Sequence, residues 1–215
     1  MYKLIVFDLD GTLLDTLDDL TAAVNAALKG AGLPLRTREE VRTFIGNGIV
    51  KLMERAVGAP RTDFDKMMQA FREYYALHCQ DKTRIYDGVE EMLSALKKTG
   101  VKLAVLSNKA DFATKKLVQS YFADVFDSAI GENESAGIAK KPSPTALFAL
   151  MEKWGVTQAE TLYVGDSEVD IQTAKNAGVR CLSVAWGFKD EAFLRENGAT
   201  DVVHTPKQAY AHMTR

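Results

Sequence analysis

Leu4-Ile5-Val6-Phe7-Asp8-Leu9-Asp10-Gly11-Thr12-Leu13 runs four apolar residues straight into two carboxylates spaced one residue apart and then a Gly-Thr turn. An uninterrupted apolar run of this kind reads as a central strand of a parallel sheet, buried on both faces. In open α/β sheets ligands bind beyond the carboxyl ends of the strands, which would set Asp8 and Asp10 at the mouth of a site. Period two puts both side chains on the same side of an extended chain. There they repel one another unless a cation or a proton separates them, and a hard divalent cation with oxygen ligands relieves that repulsion. A polar turn that merely caps a strand would use the same residues, so the pair gains meaning only in combination with residues further along the chain.

Three more apolar runs end in polar signals. Val101-Lys102-Leu103-Ala104-Val105-Leu106 leads into Ser107-Asn108-Lys109, a hydroxyl and an amide able to donate to a phosphate oxygen or to cap the helix expected next. In Lys140-Lys141-Pro142-Ser143-Pro144, Pro142 biases Lys141 toward an extended backbone before a helix near Ser143. Lys141 is then either a point charge facing a phosphate or an ordinary solvated lysine. Thr161-Leu162-Tyr163-Val164-Gly165-Asp166-Ser167-Glu168-Val169-Asp170 is a strand running into a Gly-Asp turn. With a helix opening near Ser167, Asp166 lies at its start and Asp170 one turn on, on the same side, an arrangement the helix dipole also favours by itself.

In this order, Asp-x-Asp-Gly-Thr, Ser-Asn, Lys-Pro and Gly-Asp-x-x-x-Asp resemble the motifs of the haloacid dehalogenase-like superfamily along essentially the whole chain. The resemblance implies Asp8 as a nucleophile that takes a phosphoryl group as an aspartyl phosphate. It implies Asp10 as the acid for the departing alkoxide and then the base for water. Thr12, Ser107 and Lys141 match phosphate-binding positions, with Asn108 adjacent. Mg2+ is the implied cofactor, held by the Asp8 side chain, the Asp10 carbonyl and Asp166, with Asp170 a water-bridged partner. Relatives that cleave carbon–halogen or carbon–phosphorus bonds lack an acid at position 10, so Asp10 favours phosphotransfer.

From Thr16 to about Cys79 the strand-like runs cease, and Leu17, Leu20, Val24, Ala27, Leu28 and Ala31 recur at helical spacing. Thr16 with Asp19 and Thr37 with Glu40 read as capping boxes, Gly30 and Gly32 as stops, and Phe64 to Tyr75 as a further amphipathic helix. Past Asp87-Gly88 alternation resumes, with strands near Val101, Phe126, Leu162, Cys181 and Val202. The expected fold is α/β, a doubly wound parallel sheet (Rossmann-like core) carrying an inserted helical cap domain. Residues 1–15 and 83–215 would form the core and 16–82 the cap. Gly11 and the residues flanking Asp15 and Ile85 would be hinges. In the superfamily such a cap closes over the site. It should carry substrate choice, because the core addresses only the phosphate and metal that all substrates share.

Within the cap, Gly46-Asn47-Gly48 is a turn whose backbone amides could approach a ligand, or a Gly-rich helix connector. Ile45-Gly46-Asn47-Gly48, Leu52-Met53-Glu54-Arg55-Ala56 and the later Trp186-Gly187-Phe188 are similar to the phosphoglycolate phosphatase branch. A small phosphate monoester is therefore the implied substrate, with 2-phosphoglycolate first. Sugar phosphates, pyrophosphate, nucleotides and phosphoserine are served by closely similar caps. A phosphomutase, or a non-catalytic receiver phosphorylated on Asp8, are the readings from other classes.

Composition agrees. The 215 residues are 47% hydrophobic, ample for a core, and a net charge of -2 provides no basic field for nucleic acid. Cys79 and Cys181 imply no disulfide framework. Together with His78, His204 and His212 they show no metal-ligand spacing. No basic leader or membrane-length apolar stretch stands out. A cytoplasmic protein with a small-molecule partner, neither nucleic acid nor membrane, and of unknown oligomeric state is the expectation.

Overall fold

The strands are β1 (Leu4–Phe7), β2 (Leu14–Asp15), β3 (Arg84–Ile85), β4 (Lys102–Ala110), β5 (Ser128–Glu132), β6 (Thr161–Gly165), β7 (Arg180–Val184) and β8 (Asp201–Val203). This is a computed structural model describing residues 2–133 and 137–214. Six strands form one parallel sheet of order β5-β4-β1-β6-β7-β8. As the apolar run predicts, β1 is central and fully buried, pairing Leu4–Phe7 with Lys102–Val105 on one side and Thr161–Val164 on the other. The chain builds outward from β1 through β4 and β5, then returns to build β6, β7 and β8 on the opposite side. The reversal falls at β1, which is where such sheets place their ligands.

The chain divides into two units, residues 1–14 with 85–215, and residues 15–84. It leaves the first unit at β2 and returns at β3, which pair as a separate two-stranded sheet. Unit 15–84 contains α1 (Leu17–Gly30), α2 (Arg38–Phe44), α3 (Ile49–Val57) and α4 (Phe64–His78). Its core is the apolar stripe of α1, including Leu20, Val24 and Leu28, against α4, whose Met67, Met68, Phe71 and Tyr75 are buried. The Thr37–Glu40 capping box forms as expected. The Thr16–Asp19 box does not. Thr16 makes no side-chain cap bond, because the Asp19 carboxylate instead accepts from the Lys82 and Thr83 amides and the Thr83 hydroxyl at 2.8–3.1 Å. A buried acid with that many long-range donors within reach is better satisfied there than by a local cap.

In the sheet unit, α5 (Val89–Lys98), α6 (Asp111–Tyr121), α7 (Thr145–Trp154), α8 (Glu168–Ala177), α9 (Glu191–Glu196) and α10 (Pro206–Met213) flank the strands. Leu4, Val6, Ala104, Leu106 and Tyr163 pack with Leu147 and Leu150 of α7 and Ala174 of α8 in one cluster. Ile5, Phe7, Leu103 and Val105, on the opposite pleat, are equally buried, so both faces are covered. Two boundaries differ from the sequence reading. β4 continues through Ser107–Lys109 to Ala110, with its register against β5 breaking after Leu106, and the helix expected near Ser143 starts at Thr145. Among the described residues no helix is long and apolar enough to cross a membrane.

Candidate active site

Asp8, Asp10, Thr12, Ser107, Asn108, Lys141, Asp166 and Asp170 all lie in the sheet unit, at or just beyond the carboxyl ends of β1, β4 and β6 or in the segment before α7. The loop after β1 is a tight knot in which Leu13 and Leu14 donate to the Leu9 carbonyl and Gly11 donates to Leu14. Gly11 adopts φ +88°, and a Cβ there would fall 2.3 Å from an Asp166 oxygen. Two reasons thus demand glycine, the left-handed backbone and the close approach. Thr12 donates from its hydroxyl to Asp166 at 3.2 Å and accepts the Trp186 indole N–H on its carbonyl at 3.0 Å.

Asp8, Asp166 and Asp170 each offer an oxygen within 4.8 Å of the others, and all three are buried. Lys141 bridges Asp8 and Asp170, its Nζ 2.9 Å from the first and 2.7 Å from the second. Asn108 explains why that lysine is held. Its carboxamide accepts the Lys141 amide at 2.7 Å and donates to the Lys141 carbonyl at 3.1 Å, a two-point clasp between β4 and the Lys-Pro segment. Ser107, buried beside it, accepts from the Lys109 amide. Asp170 is satisfied on both oxygens, one by Lys141 and the Tyr163 hydroxyl, the other by the amide and hydroxyl of Ser167. Ser167 is the residue just before α8, as the sequence suggests.

Electrostatics reflect this crowding. Burial, with Asp170 and Asp10 adding to it against the pull of Lys141, pushes the Asp8 carboxyl up to about 7. Burial, then Asp170 and Asp8, hold Asp166 well above the usual carboxylate range. Burial opposes the Lys141 ammonium, but Asp170 and Asp8 outweigh it and keep that group firmly charged. Four carboxylates (Asp8, Asp10, Asp166, Asp170) meet two buried ammonium groups (Lys109, Lys141), a formal excess of two negative charges. An all-oxygen donor set carrying that excess fits one hard divalent cation.

Several contributors escape the sequence reading. Lys109 closes on Asp10 with its Nζ 2.9 Å from both carboxylate oxygens. The Phe188 amide donates to Asp166 at 2.7 Å. Gly187 passes so close that a Cβ would lie 2.2 Å from the Gly11 carbonyl. Gly165 leaves room for Asp170 in the same way. Trp186-Gly187-Phe188 is visible in the sequence as a motif, and its position after β7 is the available signal. Gly46, Asn47 and Gly48 lie in the helical unit between α2 and α3, with φ of +127° and +84° at the two glycines. There Arg55 donates to the Asn47 side-chain oxygen at 2.6 Å and to the Phe44 carbonyl at 2.7 Å, fastening the loop.

With that geometry in hand, a family model described as haloacid dehalogenase-like hydrolase matches residues 5–184. The chain is 36% identical over 209 residues to a phosphoglycolate phosphatase of Pseudomonas syringae pv. tomato, covering 94% of this chain and 76% of that one. It is 38% identical over 195 residues to a phosphoglycolate phosphatase of Vibrio parahaemolyticus, covering 86% and 85%. A solved structure from Lactobacillus delbrueckii subsp. bulgaricus, provisionally described as a phosphoglycolate phosphatase, superposes with a TM-score of 0.93. It is 35% identical, with 99% and 98% of the two chains covered.

Proposed function

The chain belongs to the haloacid dehalogenase-like hydrolases, and from that premise we infer that it is a Mg2+-dependent phosphatase acting on a small phosphate monoester, with 2-phosphoglycolate the first choice. The observation that carries this reading is the buried cluster of Asp8, Asp166 and Asp170, with Lys141 bridging two of its members. An acyl-phosphate route needs a carboxylate nucleophile held beside charges that neutralise a phosphoryl group, and this cluster supplies both.

In this scheme an Asp8 oxygen attacks phosphorus and the ester P–O bond breaks. Asp10 gives a proton to the departing alkoxide. Asp10 then takes a proton from water as the water attacks the aspartyl phosphate, releasing inorganic phosphate and restoring Asp8. Lys141, held by Asn108, keeps a fixed positive charge against the transferring oxygens, and Thr12 and Ser107 line the same end of the sheet. Asp8, Asp166 and the Asp10 carbonyl would hold Mg2+. Asp170, whose oxygens already accept from protein donors, would act through water. When bound, the ion neutralises charge that builds on the phosphoryl oxygens. The helical unit, with Gly46-Asn47-Gly48, would act as a cap reading the remainder of the substrate.

The deciding experiment is an activity panel across small phosphate esters with and without Mg2+. Turnover that requires the ion and favours 2-phosphoglycolate over a generic aryl phosphate is the expected result. Turnover of phosphoglycolate no better than that of the aryl ester would remove the substrate assignment. Absence of turnover on every ester would remove the phosphatase reading.

A further inference from the structure

Two glycines press on Asp166 from separate segments, and the residues beside them hold both of its oxygens. A Cβ at Gly11, in the loop after β1, or at Gly187, beyond β7, would collide with the Asp166 carboxylate, and one at Gly187 would also strike the Gly11 carbonyl. The strand register brings these segments together. Gly165 pairs with Ser183, so the chain leaving β7 emerges beside the chain leaving β6. On one Asp166 oxygen the Phe188 amide donates at 2.7 Å, and on the other the Thr12 hydroxyl donates at 3.2 Å. Thr12 is in turn held by Trp186, whose indole N–H donates to the Thr12 carbonyl at 3.0 Å. Thr12 and Asp166 are buried, and Trp186 is half-buried at the rim.

We propose that Trp186 is a positioning residue for the cation site. Through Thr12 on one oxygen, and through the Phe188 amide two residues on, it sets the orientation in which Asp166 meets a divalent cation. This rests on the reading of Asp166 as a Mg2+ ligand given above. A ligand whose partners fix it before the ion arrives loses little freedom on binding, and outer partners of this kind tune affinity strongly. A carboxylate has about four acceptor positions on its two oxygens, so donors on each still leave it able to face a cation. The indole addresses the Thr12 backbone rather than the carboxylate, so it acts through the loop that it fastens. A tryptophan serving only to pack would stabilise the fold without changing affinity for the ion.

The test is Trp186→Phe, which keeps an aromatic ring and removes the N–H. Titration calorimetry with Mg2+, at about pH 8 where exposed carboxylates are fully ionised, should show a Kd raised by about 5- to 20-fold. In kinetics the loss should lie in the Mg2+ concentration needed, with kcat at saturating Mg2+ recovering to within about twofold of the wild type. An unchanged Kd with only a lowered melting temperature would reduce Trp186 to packing, and would overturn the inference while leaving the cation site and the phosphatase reading intact. A wild type that takes up no Mg2+ would overturn the assignment of Asp166 as a cation ligand and this inference with it. If Trp186→Phe does not fold, Trp154→Phe leaves Trp186 as the single tryptophan. Mg2+ should then change its emission with the same midpoint as the calorimetric titration. Emission that ignores Mg2+ while calorimetry shows binding would overturn the proposal.

Discussion

Removing divalent cation while raising the pH should unfold this protein more readily, and the size of the effect comes from Asp8. The residue is 7% exposed, and its pKa rises from 3.8 to about 7, mainly through burial and then the neighbouring Asp170 and Asp10, against Lys141. A carboxyl whose folded value lies above its unfolded value binds more protons in the folded state. Its stabilising contribution is therefore full below the unfolded value and is lost as pH climbs through the folded one. The window here runs from about pH 4 to about pH 7. A shift of this size corresponds to at most about 4 kcal/mol, more than half of which disappears between about pH 5 and pH 8. Asp166 is raised in the same direction by the same causes and adds to the slope, whereas Lys141, raised from 10.5, stays charged throughout. At about 2–4 °C per kcal/mol for a chain of this size, the melting temperature in chelator should fall by about 5–10 °C across that range. Scanning calorimetry in EDTA from about pH 5 to pH 8, repeated with Mg2+ and with Asp8→Asn, measures it. Mg2+ should restore stability most at the alkaline end, where the carboxylates are ionised, and Asp8→Asn should flatten the chelated profile. Parallel profiles for wild type and Asp8→Asn, or equal stabilisation by Mg2+ at pH 5 and pH 8, would refute the reasoning.

Asn108→Ala removes the clasp on the Lys141 backbone without touching the Lys141 charge. It should lower kcat by about tenfold or more through misplacement of the ammonium, which steady-state kinetics on any accepted ester will show. Asp19→Ala removes the acceptor of the Lys82 amide and of the amide and hydroxyl of buried Thr83. It should cost about 2–4 kcal/mol of stability by urea denaturation, whereas a loss of only the few tenths expected of an exposed cap would contradict the long-range role assigned to it.

Much of the site can be read from the chain because a parallel sheet sends all its carboxyl ends to one edge. Polar residues that come after separate buried strands must then converge, however far apart they lie in sequence. Asp8, Lys141 and Asp166 obey this rule, each standing just beyond an apolar run or beside the helix that comes after one. Other features depend on distances that no local pattern encodes. Asp19 has the spacing of a capping partner, but its donors arrive 63 and 64 residues later. Tyr163 reads as one more buried strand residue, yet its hydroxyl reaches the Leu106 carbonyl and Asp170. The true end of β4 is hidden because Ser107, Asn108 and Lys109 are polar, whereas here the polarity belongs to residues facing the site from within the strand.

Lys109 illustrates the limit most clearly. Read locally, Ser-Asn-Lys offers a hydroxyl and an amide to a phosphate and gives the lysine no role, and buried lysines are rare. The strand runs on past the register break after Leu106, and the ammonium closes on Asp10, 99 residues away. Asp10 then occupies a different position from its neighbour Asp8. One carboxylate faces the Lys141 cluster and is pushed toward neutrality, while the other is matched to a cation of its own. Two acids separated by a single residue in sequence can take different parts in one reaction only if their surroundings differ. Here that difference is made by two lysines 32 positions apart, delivered by the strand and the pre-helical segment that Asn108 ties together.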